Sequence, residues 1–224
     1  PPITVTTTKT EGKELEKPDT GRIEGTKRVG AEMGEGLEFD HRLARLPAAL
    51  KYLARGWSII PVTLVDGKRR PPRGFRWKEY QKRLPTQEEI RSWWQRWPNV
   101  GIALVCGSVS KVYVLDIDPK NGGSLEGRSL PRGPVSETIN DGQHHLFRYD
   151  IALPKRQGIL PGVDFLAEGS YAVLPPSWGS YEWIEEPDGG ELPELPQWVI
   201  DLVVRGACHP SKGKKRKKEG RISP

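Results

Sequence analysis

The sequence predicts a mixed α/β fold of the α+β kind. Three observations point there. Two segments, 46–53 and 90–97, repeat apolar residues at helical spacing. Short β-branched and aromatic runs fill much of 57–184. The helical and extended segments do not alternate in the regular order of a parallel α/β sheet.

Taken in order, residues 1–40 are rich in Thr, Lys, Glu and Gly without a period, which reads as a disordered or loosely docked arm. The spacing of Leu46, Leu50 and Leu53 predicts a first helix starting near Pro47 and stopping at Gly56. A strand is expected over 57–65, then a long basic loop over 66–85. Thr86-Gln87-Glu88-Glu89 is a capping box, and Ile90, Trp93, Trp94 and Trp97 form one stripe of the helix it opens, until Pro98 ends it. Those tryptophans read as core packing. Strands at 100–105 and 111–117 are expected to pair as a hairpin. The Gly-, Pro- and Ser-rich stretch 119–134 is expected to be a loop, followed by strands near 143–149, 162–167, 170–174 and 180–184. A last helix is expected over 196–204. These boundaries give an arm (1–40), one catalytic domain (41–206) and a basic tail or linker (207–224).

Composition narrows the class. The chain of 224 residues is 35% hydrophobic, low for a compact domain, so polar tails are expected to dilute a denser core. No run of 18 apolar residues is present, which predicts no membrane span. The two cysteines, Cys106 and Cys208, are far apart, which fits a reducing, cytoplasmic setting rather than a disulfide framework. Cys208-His209 offers too few ligands for a structural zinc. The net charge is +6, and residues 212–224 carry all of it, with seven Lys and Arg against Glu219. The body is therefore neutral overall, but Lys68, Arg69, Arg70, Arg73, Arg76 and Lys78 crowd around Phe75 and Trp77. Cations interleaved with aromatics suit phosphate contact and base stacking, and equally a solvated loop.

The chemistry gathers in three segments. Val112-Tyr113-Val114-Leu115-Asp116-Ile117-Asp118 is a strand whose end carries two carboxylates on one face. Such a pair suits hard divalent cations, which take oxygen ligands, and two metals about 3.5–4 Å apart are a common apparatus for displacement at phosphorus. An isolated D-x-D is also an ordinary polar strand end before Pro119. In Gly142-Gln143-His144-His145-Leu146-Phe147-Arg148, alternation groups His144 with Arg148 and puts His145 on the core side. His144 is placed to meet a phosphate, and equally to serve as a structural histidine. In Gly162-Val163-Asp164-Phe165-Leu166, Asp164 interrupts a strand where a carboxylate is costly unless it is exposed or has work, such as a third metal ligand. The Ser170–Leu174 strand ends in Pro175-Pro176-Ser177.

The order D-h-D, small-x-His, h-D-h, Pro-Pro-Ser resembles the bifunctional primase/polymerase (Prim-Pol) domain of the archaeo-eukaryotic primase superfamily, found in plasmid, phage and mobile-element replication proteins. Upstream, the helix, glycine and strand of 48–62, Gly67-Lys68-Arg69-Arg70-Pro71-Pro72 and the Trp-rich helix are similar to the family's opening, and the resemblance spans 45–205. It implies an RRM-like catalytic sheet beside a second β-rich subdomain with flanking helices. By position, Asp116, Asp118 and Asp164 take the role of carboxylates for two Mg²⁺ or Mn²⁺ ions. His144 takes that of the triphosphate contact, with Gln143, Arg148 and Ser177 assigned to the nucleotide as well. Asp141, before Gly142, departs from the small residue commoner there. Lys68, Arg69, Arg70, Arg73 and Arg76 are assigned to template or primer. The implied partners are single-stranded DNA, a primer and dNTPs or NTPs, with a helicase domain or protein in the parent. The rivals are a nuclease, a metal-dependent glycosyltransferase and a non-catalytic nucleic-acid-binding module.

Overall fold

A capping box decides where one helix of this protein starts, and it forms as the sequence requires. In the computed structural model, which describes residues 41–207, Thr86 accepts from the Glu89 amide at 3.2 Å while the Glu89 carboxylate accepts from the Thr86 amide at 2.8 Å. The helix they open, α2, runs Gln87–Arg96 and buries Ile90, Trp93 and Trp94. The first helix, α1 (His41–Ala54), starts before Pro47 and carries it inside. The turn before Pro47 is held by Arg45, whose guanidinium donates to the Val100 carbonyl at 3.3 Å. A third helix, α3 (Gln197–Ala207), closes the described chain. The expected arm, the tail beyond 207 and Cys208-His209 lie outside the described residues.

Among the described residues, ten strands form two antiparallel sheets. The smaller contains β1 (Ile59–Val65), β2 (Lys68–Arg70), β3 (Gly101–Val105) and β9 (Tyr171–Leu174), in the order β2-β1-β3-β9. The larger contains β4 (Val112–Ile117), β5 (Val135–Glu137), β6 (Gln143–Arg148), β7 (Arg156–Leu160), β8 (Val163–Leu166) and β10 (Trp183–Glu185), in the order β10-β5-β6-β4-β8-β7.

The hairpin expected between 100–105 and 111–117 does not form. Both edges of β3 are already taken, by β1 and β9, so β4 has no free edge to join. The connecting turn instead hands the chain to the other sheet. Ser110 pins it by donating to the Val105 carbonyl at 2.6 Å and accepting from the Ser58 amide at 2.9 Å. The basic loop is also more ordered than expected: β2 pairs with β1, and a 3₁₀ turn spans Trp77–Gln81. Strands β5 and β7 were not anticipated.

Two cores follow from alternation along β4. Val112 and Val114 join Leu146, the small sheet and the buried faces of α1 and α2. Tyr113, Leu115 and Ile117 face the opposite way, with Phe147, Val163 and Phe165, and α3 covers them with Val199 and Val203. Because β4 is covered on both faces, it reads as a continuous apolar run, interrupted only at Asp116.

Candidate active site

Strand register assembles the site. Asp116 stands opposite His144 on one side and opposite Asp164 on the other, and His144 stands opposite Ser136. Directly paired residues project to the same face, so Ser136, His144, Asp116 and Asp164 form one polar rung across four adjacent strands. A cavity of about 260 Å³ opens over part of it, lined among others by Arg69, Asp116, Asp118, His144, Tyr171 and Tyr181.

His144 is buried, and its orientation is set by the small sheet: Nδ1 lies 3.0 Å from the Val173 carbonyl. A carbonyl only accepts, so Nδ1 carries a proton and Nε2 is the atom turned to the cavity. Nε2 lies 3.5 Å from Asp116 Oδ1, a contact that becomes an ion pair when the ring is doubly protonated. Among the described residues Asp116 accepts no hydrogen bond, although its side chain is only 35% exposed. A half-buried carboxylate without a donor suits a cation. His145 faces the other core, where Nε2 meets Gln143 Oε1 at 3.0 Å. Burial, with a smaller push from the His144 charge, lowers its pKa from 6.5 to about 4, so it serves the core as a neutral ring.

Asp118 is positioned by main chain. Its amide donates to the Gly162 carbonyl and its carbonyl accepts from the Gly123 amide, both at 2.8 Å. The approach leaves no room for side chains: a Cβ on Gly162 would sit 2.4 Å from Gly123 N and 2.7 Å from Asp118 O, and Gly162 has φ +59°. The Asp118 carboxylate caps the turn that follows, accepting from the Lys120 amide at 3.0 Å and from Asn121 Nδ2 at 2.6 Å. Asp164 Oδ1 accepts from the Gly158 amide at 2.7 Å, across the irregular β7–β8 pairing. The three carboxylates therefore do not converge: among the described residues no group of three His, Cys, Asp or Glu stands close enough to hold a metal ion. The donor chemistry still fits one, since Asp116 and Asp118 are hard oxygen ligands on the wall of one cavity.

The other expected residues disperse. Arg69 enters the cavity, its guanidinium 5.9 Å from the Tyr181 ring and its Nε buried without a hydrogen-bond partner. Lys68, Arg70, Arg73 and Arg76 are exposed and do not line it. Arg148 is not brought to the site. It pairs with Asp150, Glu191 and Glu194, because it stands opposite Val112, four residues along β4 from Asp116. Gln143 falls on the His145 face of β6. Ser177 is buried and builds a turn, donating to the Leu174 carbonyl at 2.7 Å and accepting from the Ile102 amide at 3.0 Å. Asp141 has φ +60°, and with Asn140 it makes the turn into β6, which favours short polar side chains over other non-glycine residues.

Sequence reasoning missed Ser136, Tyr171 and Tyr181. Ser136 is fully buried and its Oγ has no hydrogen-bond partner. It lies on a strand of three residues, too short for any period to betray.

The family model for the bifunctional DNA primase/polymerase N-terminal domain, Prim-Pol, matches residues 49–198. The chain belongs to this family. No curated protein matches it. The Prim-Pol match spans every strand named above and both sides of the polar rung. The family implies DNA primase/polymerase activity in general, with DNA and nucleotides as substrates, and its members generally use divalent metals. Among the described residues no helix is long and apolar enough to cross a membrane.

Proposed function

We propose that this Prim-Pol domain is a template-dependent DNA primase/polymerase, joining a (d)NTP to a 3′-hydroxyl with release of pyrophosphate. The observation that carries the reading is Asp116: a half-buried carboxylate without a hydrogen-bond donor, beside His144 and in register with Asp164. In this reading Asp116, Asp118 and Asp164 hold two Mg²⁺ or Mn²⁺ ions. Bound there, such ions would lower the pKa of the attacking hydroxyl and neutralise charge on the leaving phosphates.

His144 and Arg69 take the phosphates. In its doubly protonated form His144 donates Nε2–H to a phosphate oxygen from a ring already fixed by Val173, which avoids an orientation cost when the triphosphate arrives. The Arg69 guanidinium supplies a permanent positive charge on the wall of the same cavity, with its buried Nε in want of an acceptor. The cavity is small for a whole nucleotide, which suits a triphosphate inside and a base outside, paired to template.

We propose further that the six-stranded sheet is the RRM-like catalytic sheet of an archaeo-eukaryotic primase-like fold and the four-stranded sheet its second subdomain. The parent is then a replication protein of a mobile element, phage or plasmid, with the basic stretch after 207 as a linker toward a helicase.

The test is primed and unprimed synthesis on single-stranded DNA with Mg²⁺ or Mn²⁺, for the wild type and for Asp116→Ala/Asp118→Ala. The reading expects template-directed product from the wild type and none from the variant; product without primer adds primase activity. No synthesis by either protein, with DNA binding intact, would return the domain to a binding module.

A further inference from the structure

A second cavity, of about 820 Å³, lies outside the site and is lined by Trp77, Lys78, Glu79, Gln81, Lys82, Arg83, Lys155 and Gly169. Four of its side chains are cationic and one is anionic. They are not equivalent. Arg83 is committed to two carboxylates, Glu79 in the wall and Glu89 outside it, so it offers the groove no free charge. Lys155 donates to the Gly169 carbonyl at 2.9 Å, which leaves its charge uncompensated. Lys78 and Lys82 are exposed, and among the described residues no carboxylate pairs with them. Three ammonium groups therefore face one groove without counter-charge.

Trp77 joins this groove to the catalytic cavity. It packs edge-to-face on Tyr171, with ring centroids 5.2 Å apart, and Tyr171 lines the cavity that holds Asp116 and His144. Tyr171 in turn donates to the Arg69 carbonyl at 3.0 Å. The basic-aromatic stretch of the sequence is thus sorted into three fates. Phe75 stacks on Tyr80 and meets Trp93 and Trp97 edge-on, so it belongs to the packing. Arg69 goes to the catalytic cavity. Trp77 and Lys78 go to the groove.

We propose that the groove of Trp77, Lys78, Lys82 and Lys155 is the path of single-stranded DNA as it approaches the site. The inference rests on the proposed polymerase reading for the identity of the strand. Lysines at intervals track a phosphate backbone as point charges, and an indole bordering them gives a base a surface to stack on without selecting sequence. The groove's direct contact with the cavity wall is what a template needs, since its next base must reach the incoming nucleotide.

Binding is read without turnover, on the full chain. Fluorescence anisotropy of a labelled oligo-dT is followed across a salt series for the wild type and for Lys78→Ala/Lys82→Ala/Lys155→Ala. All three lysines are exposed, so the fold should survive. Losing three phosphate contacts on a single strand should lower the slope of log K against log salt by about 2. The same oligonucleotide carrying 5-iododeoxyuridine is photo-crosslinked, and the adduct should map to the peptide containing Trp77. An unchanged slope, or adducts confined to 208–224, overturns the path; an unchanged slope leaves the cations to an acidic protein surface. Primed synthesis separates this outcome from the catalytic reading. The triple variant should keep the wild-type kcat and show a template KM raised severalfold. An unchanged template KM overturns the groove while the catalytic reading stands.

Discussion

The backbone of Asp118 is held by main-chain bonds to Gly162 and Gly123. Gly162→Ala attacks that hold directly. A non-glycine residue at φ +59° costs about 1–2 kcal/mol, and the added Cβ meets main chain on both sides. The expected outcome is a loss of at least that much stability in urea, with a fall in synthesis larger than the unfolded fraction explains. Arg69→Ala should raise the nucleotide KM about tenfold or more while the protein stays folded, and Arg69→Lys should restore it only in part, because a point charge replaces a planar fork. His145 gives a pH test. Its folded pKa of about 4 lies below the ordinary 6.5, so the unfolded chain takes up the proton first. Stability should therefore fall as pH drops from 6.5 toward 4, and His145→Gln should flatten that part of a melting-temperature profile. At this scale alternation made much of the site legible: it put Asp116 and Asp118 on one face and sent His145 to the core. It misassigned Arg148, which has the right face but the wrong end of the strand. Face is a local property, whereas distance along a strand matters only once register is known.

At the scale of elements, α2 shows how far local chemistry reaches. Thr86, Glu89 and the aromatic stripe predict it to within a residue, because a cap and a period are both contained in the segment. Thr86→Ala should cost about 1 kcal/mol, measured by denaturant unfolding. The Arg83 guanidinium, with help from the Thr86 amide, draws the Glu89 carboxyl down to about 2, so the cap should hold until strongly acid pH. The β3–β4 connection shows the limit. Two buried apolar strands joined by six residues look like a hairpin, yet the edges of β3 belong to β1 and to β9, a strand that begins 66 residues after β3 ends. No local signal announces that competition. The short strands β2 and β5 were illegible for a related reason: their pairing comes from partners already in place rather than from their own three residues. They carry Arg69 and Ser136, so what was hidden in the fold was hidden in the site as well.

For the whole molecule, β4 is the common wall of two cores. Leu115 is fully buried in the core beneath α3, and one residue further on Asp116 faces the cavity. Leu115→Ala should cost about 2–5 kcal/mol, and denaturation followed by tryptophan fluorescence and by circular dichroism should give one coincident transition. The charge of the chain is arranged separately from this architecture. Since residues 212–224 carry the entire net charge of +6, their removal should weaken DNA binding at low salt and lower the slope of log K against log salt.

The polar rung has one more implication. Ser136, His144, Asp116 and Asp164 belong to four strands, and the last three share theirs with residues buried in the cores. Sliding β4, β6 or β8 by one residue would turn its reactive group away and push its apolar partners into water together. Misassembly of the chemistry therefore carries the penalty of misfolding, and a stable but mis-threaded, inactive form has nowhere to hide. A preparation's specific activity should then track its folded fraction at every denaturant concentration through the transition.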